Sequence, residues 1–172
     1  TKVIIPNTTY KNAVNMFNAQ NYDGAISAFS TLNGFKDSDD YLYHSKYQKA
    51  VMLMDSGDFD NAISAFADLA DYADAASLQQ EAAYKKASTL LDSERWDEAI
   101  STFSSLGQYE DAQQRILECY YKQGESYGEQ GALVEAAACF ESAKDFSDAQ
   151  QRALECYYKQ GESYGEQGAL VE

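Results

Sequence analysis

Cys119, Cys139, Cys156 and His44 are the side chains best suited to nucleophilic, redox or metal chemistry, and their placement organises none of it. The cysteines stand 20 and 17 residues apart, with no Cys-x-x-Cys pair and no histidine nearby, so they do not make a zinc pattern. An odd number would leave one thiol over from any closed disulfide framework, and free thiols are expected, with Cys119 and Cys156 as small buried apolar residues. His44 is the single histidine and has no serine or cysteine motif to serve, which leaves no nucleophile–base pair and points to a solvated helix position. Asp55-x-x-Asp58-x-Asp60 and Asp37-x-Asp39-Asp40 lack the alternation, central glycine and closing glutamate of a calcium loop, and read as caps and first-turn acids. Asn7-Thr8-Thr9 fits a glycosylation sequon, a triplet common by accident. The expectation is a chain that is not an enzyme and carries no metal and no cofactor.

More order lies in the tyrosines and carboxylates. Tyr10, Tyr47, Tyr84, Tyr121 and Tyr158 recur at a step of 37 residues. The same step carries Ala25, Ala62, Ala99 and Ala136, then Phe29, Phe66, Phe103 and Phe140, then Asp37, Asp74, Asp111 and Asp148. It also carries Asp55, Asp92, Glu129 and Glu166, a series that Asn18 begins, and the column His44, Glu81, Glu118 and Glu155. Several columns in phase define an internal repeat, and a repeat of this length predicts stacked supersecondary units. Segments 111–135 and 148–172 differ only at Ile116 and Ala153, which indicates recent duplication or deliberate repetition.

The elements that must hold these columns are helices, because apolar residues recur at three- and four-residue steps and never alternate. In the third repeat a long helix is expected from Ala75 to Asp92, with Ala76, Ala83, Tyr84, Ala87, Leu90 and Leu91 along one stripe. Asp74 is its expected N-cap, accepting the free amide hydrogens of the first turn, and Asp37, Asp111 and Asp148 repeat that role. A short helix follows from Asp97 to Leu106, with Ala99, Ile100, Phe103 and Leu106 inward and Trp96 just before it, where other repeats place Tyr22, Phe59 and Leu133. Ser56-Gly57-Asp58, Ser93-Glu94-Arg95 and Gln130-Gly131-Ala132 are short connections that make each repeat an antiparallel helical hairpin. The aromatic of the second junction, Tyr72 or Tyr109, is expected to plug the seam between repeats. Gly124 and Gly161 are expected at close helix approaches, whereas nothing in the sequence supports a role for Gly128 and Gly165.

One such hairpin cannot cover its own apolar faces, so the predicted class is an all-α solenoid of stacked pairs. The expected division is a lead-in over 1–9 and a single array over 10–172, with repeats at about 10–46, 47–83, 84–120 and 121–157 and a partial fifth at 158–172. The last segment stops where another short helix is due, so it either caps the array or continues in a longer native protein. Of the 172 residues 45% are apolar, enough for a core. With 13 basic and 28 acidic side chains the net charge is −15, the wrong sign for gripping a nucleic-acid backbone. No run approaches the length of a membrane span.

In the fourth repeat Gly124-Glu125-Ser126-Tyr127, Gly131, Ala136, Phe140 and Ala143 resemble the tetratricopeptide repeat family, in its first-helix small and large residues, turn glycine, small residue, aromatic and closing alanine. Other repeats place Ala13, Ala50 and Ala87 for the glycine, and Met16, Leu53 and Leu90 for the tyrosine. The repeat departs from that family in its 37-residue length, against 34, and in an aromatic-x-Asp-Ala/Ser junction where the family usually has proline. Glu-Cys-Tyr-Tyr at 118–121, Phe35-Lys36-Asp37-Ser38 and Val3-Ile4-Ile5-Pro6 also resemble arrays of this type from Gram-positive gut bacteria. That resemblance implies a bacterial protein, cytoplasmic or tethered at the cell surface through a segment outside this chain.

The family resemblance implies a right-handed superhelix whose long helices line a concave groove for a peptide or partner helix, and hence a protein-interaction scaffold. The groove columns it implies are Tyr47, Tyr84, Tyr121 and Tyr158, with Asp55, Asp92, Glu129, Glu166, Glu81 and Glu118 beside them. Such a groove suits a basic or amphipathic segment of a protein partner, tyrosine giving rigid contact area and carboxylates steering lysine or arginine. The bland alternative is that the tyrosines pack between repeats and the acids solvate the array. A structural function competes with the groove: arrays associating end to end through the open C-terminal end.

Overall fold

The computed structural model describes residues 4–69 and 71–169, and side-chain surroundings for residues 6–69 and 71–165. Among the described residues the regular structure is helical throughout: α1 (Ile4–Asn18), α2 (Tyr22–Ser30), α3 (Ser38–Asp55), α4 (Phe59–Ala67), α5 (Ala75–Asp92), α6 (Trp96–Ser105), α7 (Ala112–Glu129), α8 (Leu133–Ala143) and α9 (Ala149–Ala169). None of these helices is long and apolar enough to cross a membrane. The chain falls into two compact units, Thr1–Ala83 and Tyr84–Glu172. In the first, α1 packs on α2, α2 on α3 and α3 on α4; in the second, α6 packs on α7, α7 on α8 and α8 on α9. Consecutive helices packed in chain order are the all-α, solenoid-type arrangement that the repeat predicts.

Each short helix is anchored by one alanine and one phenylalanine a turn apart. Ala25, Ala62, Ala99 and Ala136 are fully buried, and Phe29, Phe66, Phe103 and Phe140 are 0–1% exposed. Spacing of four residues puts both on one face, and the small residue lets the neighbouring long helix approach while the ring fills the gap. At α2 the Asn21 side chain caps the helix, accepting a hydrogen bond from the Gly24 amide at 3.1 Å. The hairpin turn needs a left-handed residue at a fixed position, which is Gln20, Gly57, Glu94 and Gly131 in turn, with φ of 59°, 81°, 60° and 74°.

Several local expectations shift. α1 begins at Ile4, so residues 4–9 of the expected lead-in are helical and the sequon lies within that helix. Tyr22, Phe59, Trp96 and Leu133 are the first residues of α2, α4, α6 and α8 rather than residues preceding them, and Leu106 is the C-cap of α6. On α5 the bounds agree with expectation, but Ala76 is exposed and the buried residues are Ala75, Ala82, Ala87, Leu90 and Leu91. The reason is helical phase: Ala75 and Ala82, seven residues apart, face the cluster formed by Ala62, Phe66 and Leu69.

Candidate functional site

The tyrosine column and the aspartate column are two halves of one device. Tyr10 donates its hydroxyl hydrogen to Asp37, Tyr47 to Asp74 at 2.5 Å, Tyr84 to Asp111, and Tyr121 to Asp148 at 2.6 Å. Asp37 and Asp111 do stand at the N-caps of α3 and α7, but neither side chain caps an amide. At Asp37 and Asp111 the expected capping role is corrected: the carboxylate is held by a tyrosine from the preceding long helix. Each ring also lies edge-on to the phenylalanine of its own repeat, Tyr10 on Phe29 at 6.1 Å, Tyr47 on Phe66 at 6.2 Å, and Tyr84 on Phe103 and Tyr121 on Phe140 at 5.5 Å. The junction aromatics Phe35, Tyr72, Tyr109 and Phe146 close on the same four rings at 5.5–6.2 Å, which is the seam-plugging role expected of them.

These contacts set the acid–base behaviour of the clamp. Hydrogen bonding to Asp37, followed by lost hydration, pushes the Tyr10 hydroxyl up to about 12, and Asp74 does the same to Tyr47. The hydrogen bond from Tyr121 holds Asp148 below the ordinary carboxylate range. Four residues after the aspartate the two units differ. In Tyr84–Glu172 that position is Arg115 or Arg152: Arg115 bonds Glu118 at 2.7 Å and the Tyr84 hydroxyl at 3.4 Å, and Arg152 bonds Glu125 at 2.5 Å and the Tyr121 hydroxyl at 3.1 Å. In Thr1–Ala83 it is Tyr41, stacked on Phe29 at 5.2 Å, or Leu78, packed against the cluster around Phe66.

Tyr47, Tyr84 and Tyr121 are therefore half-buried with hydroxyls engaged, whereas Tyr158 is 69% exposed. Among the expected carboxylates Glu118 is engaged by Arg115. Glu81 is half-buried and Asp55 exposed, while the side chain of Glu166 lies outside the described residues. Asp92 and Glu129 are brought together: with Leu91, Glu94, Trp96, Lys122, Glu125 and Ser126 they line a cleft between the end of α5, the start of α6 and the last turns of α7. Asp92, Glu94 and Glu129 are exposed and form no ion pair among the described residues, and Lys122 is the one cation in the lining. Glu125 is already paired with Arg152, so the balance is three unpaired carboxylates to one ammonium around an indole, a field that attracts cations.

Sequence reasoning did not single out Glu94, Trp96, Lys122 or Glu125 as part of that cleft. Glu94 escapes because its column is the hairpin turn, where Gly57 and Gly131 hide any side-chain role. Trp96 escapes because its column, Tyr22, Phe59 and Leu133 in the other repeats, marks only a hydrophobic entry to the short helix. The cysteines are free; burial pushes the Cys119 thiol up to about 11 and also raises Cys139 and Cys156, which keeps them as unreactive thiols. His44 is exposed as expected, with its ring edge-on to Phe17 at 5.1 Å.

A sequence model of the tetratricopeptide repeat family matches residues 118–149, which run from the middle of α7 through α8 to the first residue of α9. The chain is a tetratricopeptide-like helical repeat protein. No curated protein matches it. Tetratricopeptide repeats are in general protein-interaction modules that bind proteins or peptides, and the family is in general a non-enzymatic scaffold. In this tetratricopeptide-like array the matched stretch contains Tyr121, Gly124, Glu125, Phe140 and Phe146, the side chains that join α7 to α8 and α9.

Proposed function

We propose that this tetratricopeptide-like array is a protein-binding module without chemistry of its own, and that the cleft between α5, α6 and α7 takes a lysine- or arginine-bearing segment of a partner polypeptide. The observation that carries the reading is the set of exposed, unpaired carboxylates of Asp92, Glu94 and Glu129 gathered beside Trp96. Such a cleft steers a cationic side chain by charge and offers it an aromatic edge to rest against. The tyrosine column contributes by rigidity: hydroxyls already bound to aspartates hold the long helices that present the acids.

Trp96 is the sole tryptophan, so its fluorescence reports directly on this cleft. Titrating the protein with a labelled peptide alternating lysine and alanine should shift that emission and weaken as salt rises from about 50 to 500 mM. Asp92→Asn with Glu129→Gln should weaken binding by about tenfold or more. An affinity indifferent to salt and to both substitutions sinks the reading. End-to-end association is the second reading, and the bare face of α9 is its support. All four repeat phenylalanines are buried, however, so a folded second copy has none free to offer that face.

A further inference from the structure

We propose, on the reading that the acidic cleft binds cations, that its partner straddles Trp96 with two basic side chains, and that Glu94 and Trp96 are kept for this contact at a cost in stability. A second cleft lies beside the first, with Arg95, Asp97, Glu98 and Gln123 in its lining. Glu94, Trp96 and Ser126 line both, so they form the wall that the two clefts share. The volumes are similar, about 340 and 330 Å³, at the small end of ligand-sized cavities, which suits single side chains. In the second cleft Glu98 is held by Arg95 at 2.7 and 2.5 Å. Asp97 accepts a hydrogen bond from the Gln123 amide at 3.0 Å and pairs with no cation among the described residues. Each cleft therefore offers carboxylate without a counter-ion, Asp92 and Glu129 on one side and Asp97 on the other, with Glu94 common to both.

Two local costs converge on that wall. Glu94 occupies the left-handed turn position with φ of 60°, where two of the other three hairpins have Gly57 and Gly131. Glycine takes that conformation without the clash a Cβ brings, so glutamate there lowers stability. Trp96 is half-buried, and its indole nitrogen is buried with no hydrogen-bond partner among the described residues. Phe59 and Leu133 open α4 and α8 with no such donor to leave unpaired. The fold alone is better served by the residues of the other repeats, and those residues would remove the carboxylate and the indole from the wall. Two side chains resting on opposite sides of one ring stand about 7 Å apart, twice a contact distance of about 3.5 Å. Residues i and i+2 of an extended chain share a face and lie roughly 6.6 Å apart. The partner is therefore an extended segment with basic residues at alternate positions.

The probes are labelled alanine–serine peptides of equal length, carrying two lysines at alternate positions, two lysines at opposite ends, or one lysine. Each is titrated with the intact chain at about 50 mM salt and followed by fluorescence anisotropy. The peptide with alternate lysines should bind at least about tenfold more tightly than either of the others. Glu94→Gly should weaken that binding by about tenfold while raising the melting temperature by about 2–4 °C, a pairing that a merely structural residue would not give. Glu94→Gln should lose the same binding without the gain in melting temperature, which separates the charge from the turn. Trp96→Phe should weaken binding several-fold without lowering the melting temperature. Equal affinity for the alternate and end-spaced peptides overturns the proposal, as does a Glu94→Gly variant that binds like the native chain or melts lower. If either comes with binding that Asp92→Asn with Glu129→Gln abolishes, the cation-binding cleft stands and only the two-sided contact fails. If no lysine peptide binds, both fail.

Discussion

α7 and α9 share almost one sequence and live in different surroundings. Segments 111–135 and 148–172 differ only at Ile116 and Ala153, yet Leu117, Tyr121 and Tyr127 are half-buried where Leu154, Tyr158 and Tyr164 are 65–69% exposed. Tyr121 gives its hydrogen to Asp148, receives one from Arg152 and lies against Phe140 and Phe146. The corresponding ring of Tyr158 has none of these contacts among the described residues. Side-chain type therefore does not decide burial in a repeat; the next repeat does, which is nearest-neighbour energetics at the level of single residues.

The sharpest way to break the contrast is to strip the cover from α7. Phe140→Ala should cost about 3–5 kcal/mol, read as a lower urea midpoint of the helical signal, because a fully buried ring leaves a cavity against Gly124 and Tyr121. A loss below about 1 kcal/mol would show that α8 is not what separates the two helices. Next comes a pair of substitutions expected to differ in sign. Gly124→Leu overpacks against Phe140 and should destabilise by about 1–3 kcal/mol. Gly161→Leu meets open space and should stabilise α9 by several tenths of a kcal/mol through helix propensity, which melting of the two variants side by side would show.

Smaller still is the leucine pair. Leu117→Ala should cost about 1 kcal/mol for a half-buried side chain, and Leu154→Ala less than about 0.5 kcal/mol. Equal losses would mean that α9 is covered in solution. The smallest effect is electrostatic. Asp148 has a folded pKa below its unfolded one, so the Tyr121 bond contributes stability that is present above the ordinary carboxylate range and is lost as pH falls through the folded value. Tyr121→Phe should flatten that acid limb, while Tyr158→Phe should leave it unchanged. In the other unit the sign reverses: with the Tyr47 hydroxyl raised from 10.0 to about 12, its bond to Asp74 stabilises fully below pH 10 and fails as pH climbs toward 12. Acid and alkaline unfolding midpoints of the corresponding phenylalanine variants check both directions.

Gly161 shows where the reading of the sequence stops. Its column matches Gly124, so a close helix approach is the natural expectation, and only Gly124 has one. The acidic cleft shows the same limit. The periodic acids Asp92 and Glu129 are visible in the spacing, but Glu94, Trp96, Lys122 and Glu125 join them only through the crossing of α5, α6 and α7. In the clamp both columns are visible, while their partnership is not, because each bond spans 27 residues and competes with a local capping role that the same aspartate could have filled.

The sequence by itself determined the 37-residue period, the all-α class, the bounds of α5 and the placement of phenylalanine in the core. Those properties are local: turn spacing, helix propensity and the i to i+4 register act within one hairpin. Only the tertiary structure decided that Asp37 and Asp111 serve tyrosines rather than amides, and what each residue four positions after the aspartate touches: the tyrosine hydroxyl for Arg115 and Arg152, the apolar cluster for Tyr41 and Leu78. Such outcomes depend on which surface stacks against which. A residue repeated in sequence meets a new environment wherever its neighbour changes.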